Sequence, residues 1–99
     1  MKRREIVFSP EAQDDLLHLY DWIAGVAGPV VAIGYIERLE AYCLSLELAS
    51  ERGRRCDDIR AGLRIVGFER RVTIAFTVSE NDVTVLRLFY GGQNWEAEL

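Results

Sequence analysis

The sequence predicts an α+β fold in which a helical hairpin packs on a small antiparallel sheet, in the order β-α-α-β-β-β. Apolar residues recur every three or four positions over residues 10–49, which is typical of two amphipathic helices. Apolar and polar residues alternate over residues 62–90, which is typical of strands. The length of 99 residues suits one hydrophobic core. We therefore expect a single domain over residues 1–99.

A short strand leads into the first helix. The run from Arg4 to Phe8 is rich in β-forming residues and ends at Ser9-Pro10. Serine before a helix and proline at its first position form a strong start signal. We expect this helix over about residues 10–26, and its apolar stripe consists of Ala12, Leu16, Leu19, Tyr20, Ile23 and Ala27.

The second helix is predicted to start at Pro29 and to close at Gly53. Because the connection through Gly28 is short, the two helices should form an αα-hairpin. The apolar stripe of the second helix consists of Ala32, Ile36, Leu39, Cys43, Leu46 and Ala49.

The rest of the chain is predicted to form the sheet. A polar loop over residues 54–61 precedes strands over residues 62–68, 71–78 and 83–90. Residues 79–82 form the turn of the last hairpin. The segment 93–99 should be mobile unless another part of the protein holds it. The residues that we expect to be largely buried are Leu16, Tyr20, Ile23, Ile36, Leu39, Leu46, Leu63, Ile74 and Leu86.

Charge is unevenly distributed along the chain. Residues 11–51 contain eight acids and one base, a balance of −7. Residues 52–71 contain seven arginines and three acids, a balance of +4, and no lysine. Since arginine favours bidentate contacts with carboxylates and phosphates, we interpret this cluster as a binding surface. Individual arginines in it also fit an ordinary solvated, salt-bridged surface.

Composition and motifs exclude several classes of protein. The sequence has no apolar run long enough to span a membrane and no leader peptide, so we expect a cytoplasmic protein. The net charge of −4 argues against general nucleic-acid binding. Glycine-rich phosphate loops, zinc-protease motifs and nucleophile elbows are missing from the sequence.

The remaining reactive residue types suggest little chemistry by themselves. Cys43 and Cys56 fit no zinc spacing, and we expect both to be free thiols, with no disulfide, metal or cofactor. Cys43 is interpreted as a small core residue and Cys56 as a loop residue. The single histidine, His18, and the acidic pairs 14–15 and 57–58 are interpreted as solvated residues.

Four residues of the strand region could act together. Strand alternation allows some of them to gather over the sheet face that the helices leave uncovered. Arginines that merely shield this face are an equally good interpretation. The four residues are Arg64, Arg71, Arg87 and Tyr90.

Three segments resemble the RelE/ParE toxin superfamily, and specifically its ParE branch. They are the opening SPEAQDDL from Ser9, the block ERGRRCDDIRAGLR from Glu51, and the closing hairpin before Tyr90-Gly91-Gly92. The resemblance extends over about residues 4–95, and the arginine-rich block is its most specific part. Its departures are Tyr90, near a position where ParE relatives commonly have histidine, and Ala75-Phe76-Thr77, where they commonly have a Tyr-containing apolar run.

The resemblance implies a bacterial toxin of a type II toxin-antitoxin system, with two helices packed on a small antiparallel sheet. It further implies inhibition of DNA gyrase and neutralisation by a ParD-like antitoxin, in a hetero-oligomeric complex that meets DNA only through the antitoxin. The alternative is ribosome-dependent mRNA cleavage of the RelE type. A pure interaction module without toxicity is a third possibility.

The two toxin alternatives need different residues. RNA cleavage needs a base, a proton donor and cations, and the strand half of the chain has neither Lys nor His to act as the base. We therefore expect a binding toxin and not an enzyme. The alternative nuclease would use Arg64, Arg71, Arg87 and Tyr90. The residues expected to contact the antitoxin or the target are Arg54, Arg55, Arg60, Arg64, Arg71, Arg87, Tyr90 and Trp95.

Overall fold

Two helices lie on one face of a five-stranded sheet, in a computed structural model that describes residues 3–48, 50–91 and 95–99. The predicted positions Ala49, Gly92 and Gln93 lie outside the described residues. In the described part of the chain, neither long helix has the length and apolar character that a membrane crossing requires. The elements are β1 (Glu5–Phe8), α1 (Pro10–Ala27), α2 (Pro29–Leu44), a 3-10 turn (Ser45–Glu47), β2 (Arg54–Arg55), β3 (Leu63–Phe68), β4 (Val72–Val78), β5 (Asp82–Tyr90) and α3 (Trp95–Glu98).

The sheet is mixed and has the strand order β1-β5-β4-β3-β2. The α+β class is therefore confirmed, but β1 runs parallel to β5, so the sheet is not wholly antiparallel as predicted. Hydrophobic periodicity identifies strands but carries no information about the direction in which distant strands pair. The helical hairpin and strands β2, β3 and β4 lie between β1 and β5 in the chain. Strand β1 pairs with β5 from Glu5 opposite Asp82 to Phe8 opposite Val85.

The Ser9-Pro10 start signal acts as predicted. The Ser9 hydroxyl accepts a hydrogen bond from the Ala12 N–H at 3.0 Å and donates one to the Leu86 carbonyl at 2.7 Å. Ser9 therefore caps α1 and also ties the helix to β5.

We expect Ser9→Ala to lower the free energy of unfolding by about 1–2 kcal/mol, because helix caps contribute this much and a second hydrogen bond is lost with the cap. Urea denaturation measures the change. Ser79→Ala, which removes an exposed hydroxyl of the turn before β5, is the control and should cost less. Equal costs would mean that the cap and the bond to Leu86 together contribute no more than the exposed hydrogen bonds of Ser79 with Asp82.

The main core lies between the helical hairpin and the sheet. Of the nine residues predicted to be largely buried, five are: Ile23, Leu39, Leu46, Leu63 and Ile74. The other four, Leu16, Tyr20, Ile36 and Leu86, are only partly buried. The first three of these line a groove on the outside of the hairpin, because each helix has the sheet on one side only.

A second, smaller core covers the opposite face of the sheet. It consists of Cys56, Leu63, Ala75 and Phe89, with Trp95 and Leu99 packed against them. The C-terminal segment, which was expected to be mobile unless held, is therefore held through α3. Cys56, which was predicted to be a loop residue, is 2% exposed in this cluster.

The predicted polar loop contains a short strand. Arg54 pairs with Ile65, and Arg55 pairs with Arg64. Gly53 permits this pairing, since it has φ +86° and a Cβ there would lie 2.3 Å from the Ile65 carbonyl oxygen. Two residues are too short a run for alternation to reveal, so the prediction of a loop over residues 54–61 is wrong at its start.

Both cysteines are free and buried. Cys43 belongs to the main core, as predicted, whereas Cys56 lies in the second core on the other face of the sheet. Burial raises the pKa of the Cys43 thiol to about 12, so this side chain stays protonated and unreactive near neutral pH.

Candidate binding groove

A groove runs between α1 and the sheet, and we call it the sheet-side groove. It consists of two adjoining cavities of about 480 and 460 Å³. Both are lined by Trp22 and Tyr90, whose rings lie 4.8 Å apart between their centroids. The groove therefore has an aromatic pair at its centre, with arginines and acids on both sides of it.

The first cavity is built on a part of β5 that β1 does not reach. Pairing with β1 ends at Val85, and α1 supplies the next partner of the strand edge. The Asp15 carboxylate accepts a hydrogen bond from the Leu88 N–H at 2.8 Å and two from the Arg87 guanidinium, at 2.8 and 3.1 Å. Asp15 thus accepts from the Leu88 N–H at the edge of β5 and also holds the Arg87 guanidinium in place.

This ion pair is well shielded. The Arg87 side chain is 26% exposed and that of Asp15 is 13% exposed. The hydrogen bond to Asp15 raises the pKa of Arg87, so the guanidinium remains charged. The guanidinium carbon of Arg87 also lies 4.9 Å from the centroid of the Phe89 ring. Arg87 is therefore positioned by contacts within the protein.

The second cavity is formed where the β3-β4 turn meets the helical hairpin. Arg38 donates two hydrogen bonds to the Glu69 carboxylate, at 3.0 and 3.2 Å. These bonds lower the pKa of Glu69. Arg71 lines the same cavity and has no ion-pair partner within 4.0 Å among the described residues. It is the cation of this cavity that is best placed for a ligand.

Tyr35 lies at the wall of the second cavity. Its hydroxyl is buried and has no hydrogen-bond partner in the described part of the chain. Burial raises the pKa of Tyr35, and the negative charge of Glu69 raises it further. The phenol is therefore a neutral donor, next to the exposed ion pair between Arg38 and Glu69.

The turn beside this cavity has an unusual backbone. Glu69 and Arg70 both have positive φ, at 50° and 59°. Such tight hairpin turns usually contain asparagine or glycine, because other side chains are strained there. Strain of this kind is common at binding sites. Here it places Glu69 against Arg38 and brings Arg71 into the groove.

Other arginines predicted to bind a partner lie at the far end of the sheet. Arg64 donates to the Glu51 carbonyl at 3.0 Å, and its side chain is only 16% exposed. Arg55 pairs with Asp57 at 3.1 Å. A cavity of about 290 Å³ lies among Arg4, Arg55 and Arg64. Arg54 and Arg60 are exposed in the same region, and Trp95 is partly buried in the second core.

Strand alternation allowed some of Arg64, Arg71, Arg87 and Tyr90 to gather over the sheet face away from α1 and α2, but by register only Arg87 of these four, opposite Ala75, lies on that face. Arg64 is opposite Phe76 and Tyr90 is opposite Val72, so both are on the helix-covered face. Arg71 immediately precedes β4 and is five residues before Phe76, which separates Arg71 from the Arg64 position by roughly 16 Å. The sheet face that α1 and α2 leave uncovered is instead packed against Trp95 of α3 and Leu99.

Sequence reasoning missed several residues of the groove. Asp15 and His18, which were interpreted as solvated, line the first cavity with Arg87 and Tyr90. The exposed apolar residues Val26 and Val31 line the second cavity. A signal was present, because Asp15, His18, Trp22 and Val26 recur every three or four residues and so share one side of α1.

Comparisons with known proteins give one family match and a match in fold. The family model described as "ParE toxin of type II toxin-antitoxin system, parDE" matches residues 6–95. A solved structure titled "Chromosomal ParDE TA system from P. aeruginosa" is similar in fold, with a TM-score of 0.78 and 21% sequence identity. The match covers 89% of this chain and 96% of that chain. No curated protein gives a significant match to the sequence. The chain belongs to the ParE toxin family of type II toxin-antitoxin systems.

Proposed function

We propose that this toxin, a single domain over residues 1–99, inhibits bacterial growth in the cytoplasm by binding DNA gyrase, and that a ParD-like antitoxin neutralises it. The similar structure is titled as a ParDE system, which supports an antitoxin partner of this type. The ParE family match favours gyrase over the ribosome as the target.

The sheet-side groove suits a segment that carries apolar and acidic side chains. Trp22, Val26 and Val31 are 51%, 66% and 53% exposed, which leaves a continuous apolar surface. Arg71 lies beside it. An antitoxin segment that is disordered alone would cover the apolar residues and place a carboxylate on Arg71 as it folds.

The single observation that carries a binding mechanism is the arrangement of the arginines. Cleavage of RNA needs cations gathered around one phosphate. Arg64 lies at the far end of the sheet and is bonded to the Glu51 carbonyl, and Arg87 is held by Asp15, whereas Arg71 has no ion-pair partner among the described residues. Two of these three cations are therefore already engaged within the protein, which favours recognition of a protein surface over phosphate chemistry.

The alternative of mRNA cleavage keeps one supporting observation. His18, Arg87 and Tyr90 line the same cavity, so a base, a cation and a proton donor are near each other. His18 was not part of the nuclease set predicted from the sequence. An experiment must therefore remove His18 as well as Tyr90.

We expect Tyr90→Phe, and the double variant with His18→Gln, to retain growth inhibition when expressed without antitoxin. Phenylalanine keeps the packing on Trp22, and a binding toxin needs no proton transfer. Purified protein should inhibit supercoiling by gyrase, and the antitoxin encoded beside the toxin gene should reverse this.

A nuclease would behave differently. Loss of its proton donor or base typically costs about 10²–10⁴ in rate. Rescue of growth by either variant, together with ribosome-bound mRNA cut only by the parent protein, would establish the mRNA-cleaving alternative. Absence of toxicity in the parent protein would indicate an interaction module.

A further inference from the structure

The outer side of the helical hairpin carries a second groove, which we call the hairpin groove. It is lined by Gln13, Leu16, Leu17, Tyr20, Ile36 and Glu40 and has a volume of about 330 Å³. Leu17 is 64% exposed, and Ile33 and Leu44, which lie on the same side of α2 as the lining residue Glu40, are 50% and 53% exposed. Large apolar side chains are thus presented to solvent on the side of the helices away from the sheet.

The apolar residues form two parallel stripes. Ile33, Glu37, Glu40 and Leu44 follow one another at intervals of four, three and four residues, so they share one side of α2. On α1, Leu17 lies between Asp14 and Asp21 at intervals of three and four residues. A groove between two such helices has the shape that an amphipathic helix fills.

The charge around this groove has a single sign. Asp14 and Asp21 on α1 and Glu37 and Glu40 on α2 are all exposed. The sequence of α1 has no lysine or arginine, and the one arginine of α2, Arg38, is paired with Glu69 on the sheet side. A second copy of this chain would bring acids against acids, which is unfavourable.

We propose that the hairpin groove docks a basic amphipathic helix of a partner protein, with apolar side chains in the groove and lysines or arginines on the four surrounding acids. This goes beyond the proposed function and does not depend on it, since Leu17 and Val26 lie on opposite sides of α1. The toxin therefore has two docking surfaces of different character, one that favours carboxylates and one that favours cations.

The test uses a labelled model peptide of about 18 residues, with leucines at helical spacing and lysines elsewhere. Fluorescence anisotropy should show binding at least about tenfold tighter than that of a matched peptide with glutamates in place of the lysines. Leu17→Gln and Ile33→Gln should each weaken binding of the lysine peptide by about tenfold.

The chain offers a matched control for each variant. Val26→Gln and Val31→Gln replace residues of nearly equal exposure on the same two helices, but these residues line the sheet-side groove. We expect them to leave binding of the lysine peptide unchanged. Circular dichroism should show the same helix content for all four variants, because every replaced side chain is at least half exposed.

Three results would overturn this proposal. Equal binding of the lysine and glutamate peptides would remove the charge argument. Equal effects of the two pairs of variants would mean that the lysine peptide does not bind specifically in the hairpin groove. The protein could also self-associate in sedimentation experiments. If Leu17→Gln abolished that self-association, the partner in the hairpin groove would be a second copy of the chain.

Discussion

Asp15→Ala should lower the free energy of unfolding by about 2–3 kcal/mol. Removal of one partner from a buried ion pair typically costs about 3–5 kcal/mol, and the partial exposure of Arg87 reduces this figure. The change also leaves the Leu88 N–H without its acceptor on the edge of β5. Urea denaturation of the purified protein measures the effect.

The neighbouring acid provides the control for this prediction. Asp14 is exposed, so Asp14→Ala changes the net charge equally and should have little effect on stability. Asp15→Asn keeps an oxygen that can accept from the Leu88 N–H but loses the negative charge, so its cost should lie between the two. If Asp14→Ala and Asp15→Ala were equally costly, the bonds to Leu88 and Arg87 would have no role in stability.

The same substitution should also reduce toxin activity. Asp15 lies one helical turn from Leu19 and holds the part of β5 that ends in Tyr90. Loss of this anchor releases Arg87 and loosens the strand that forms one wall of the sheet-side groove. Growth inhibition by the Asp15→Ala variant should therefore fall more than its loss of stability alone would predict. The Ser9→Ala variant should lose stability, and its growth inhibition should fall no more than that loss predicts.

Elements of the fold that follow from local rules were predictable from sequence. Ser9-Pro10 marked the start of α1 because capping depends on residues that are adjacent in the chain. Strands β3, β4 and β5 were evident from period-two alternation. The direction of β1 and the pairing of β2 were not, because both depend on contacts between residues far apart in the sequence.

The binding groove was harder to predict than the fold. Arg71 and Tyr90 were identified, and the structure brings them to one cavity. Trp22 and Tyr35 were missed, because an exposed aromatic and a buried one both look like ordinary helix residues until the sheet is in place. Arg64 was selected for its charge, and the structure shows its side chain only 16% exposed and bonded to the Glu51 carbonyl. Sequence gives the charge of a side chain, whereas its partners come from the tertiary fold.

Arg71→Glu should weaken binding of the antitoxin by about tenfold to a hundredfold without a large loss of stability. The side chain is exposed in the sheet-side groove, and reversal of its charge repels an incoming carboxylate and adds to the negative charge of Glu69. Because the interaction is between exposed charges, the effect should shrink as salt is raised from low to high concentration. Isothermal titration with the antitoxin at two salt concentrations measures both quantities.

Two further arginines make this prediction specific. Arg70→Glu reverses the charge of the adjacent exposed residue and should change affinity far less, because Arg70 is not among the residues that line the groove. Arg64→Glu, which the sequence favoured as a binding variant, should mainly destabilise the protein, since it puts a carboxylate against the Glu51 carbonyl. Equal loss of affinity in the Arg70 and Arg71 variants would show that the antitoxin responds to the overall charge of this region. Affinity lost in the Arg71 variant alone would locate the acidic contact in the sheet-side groove.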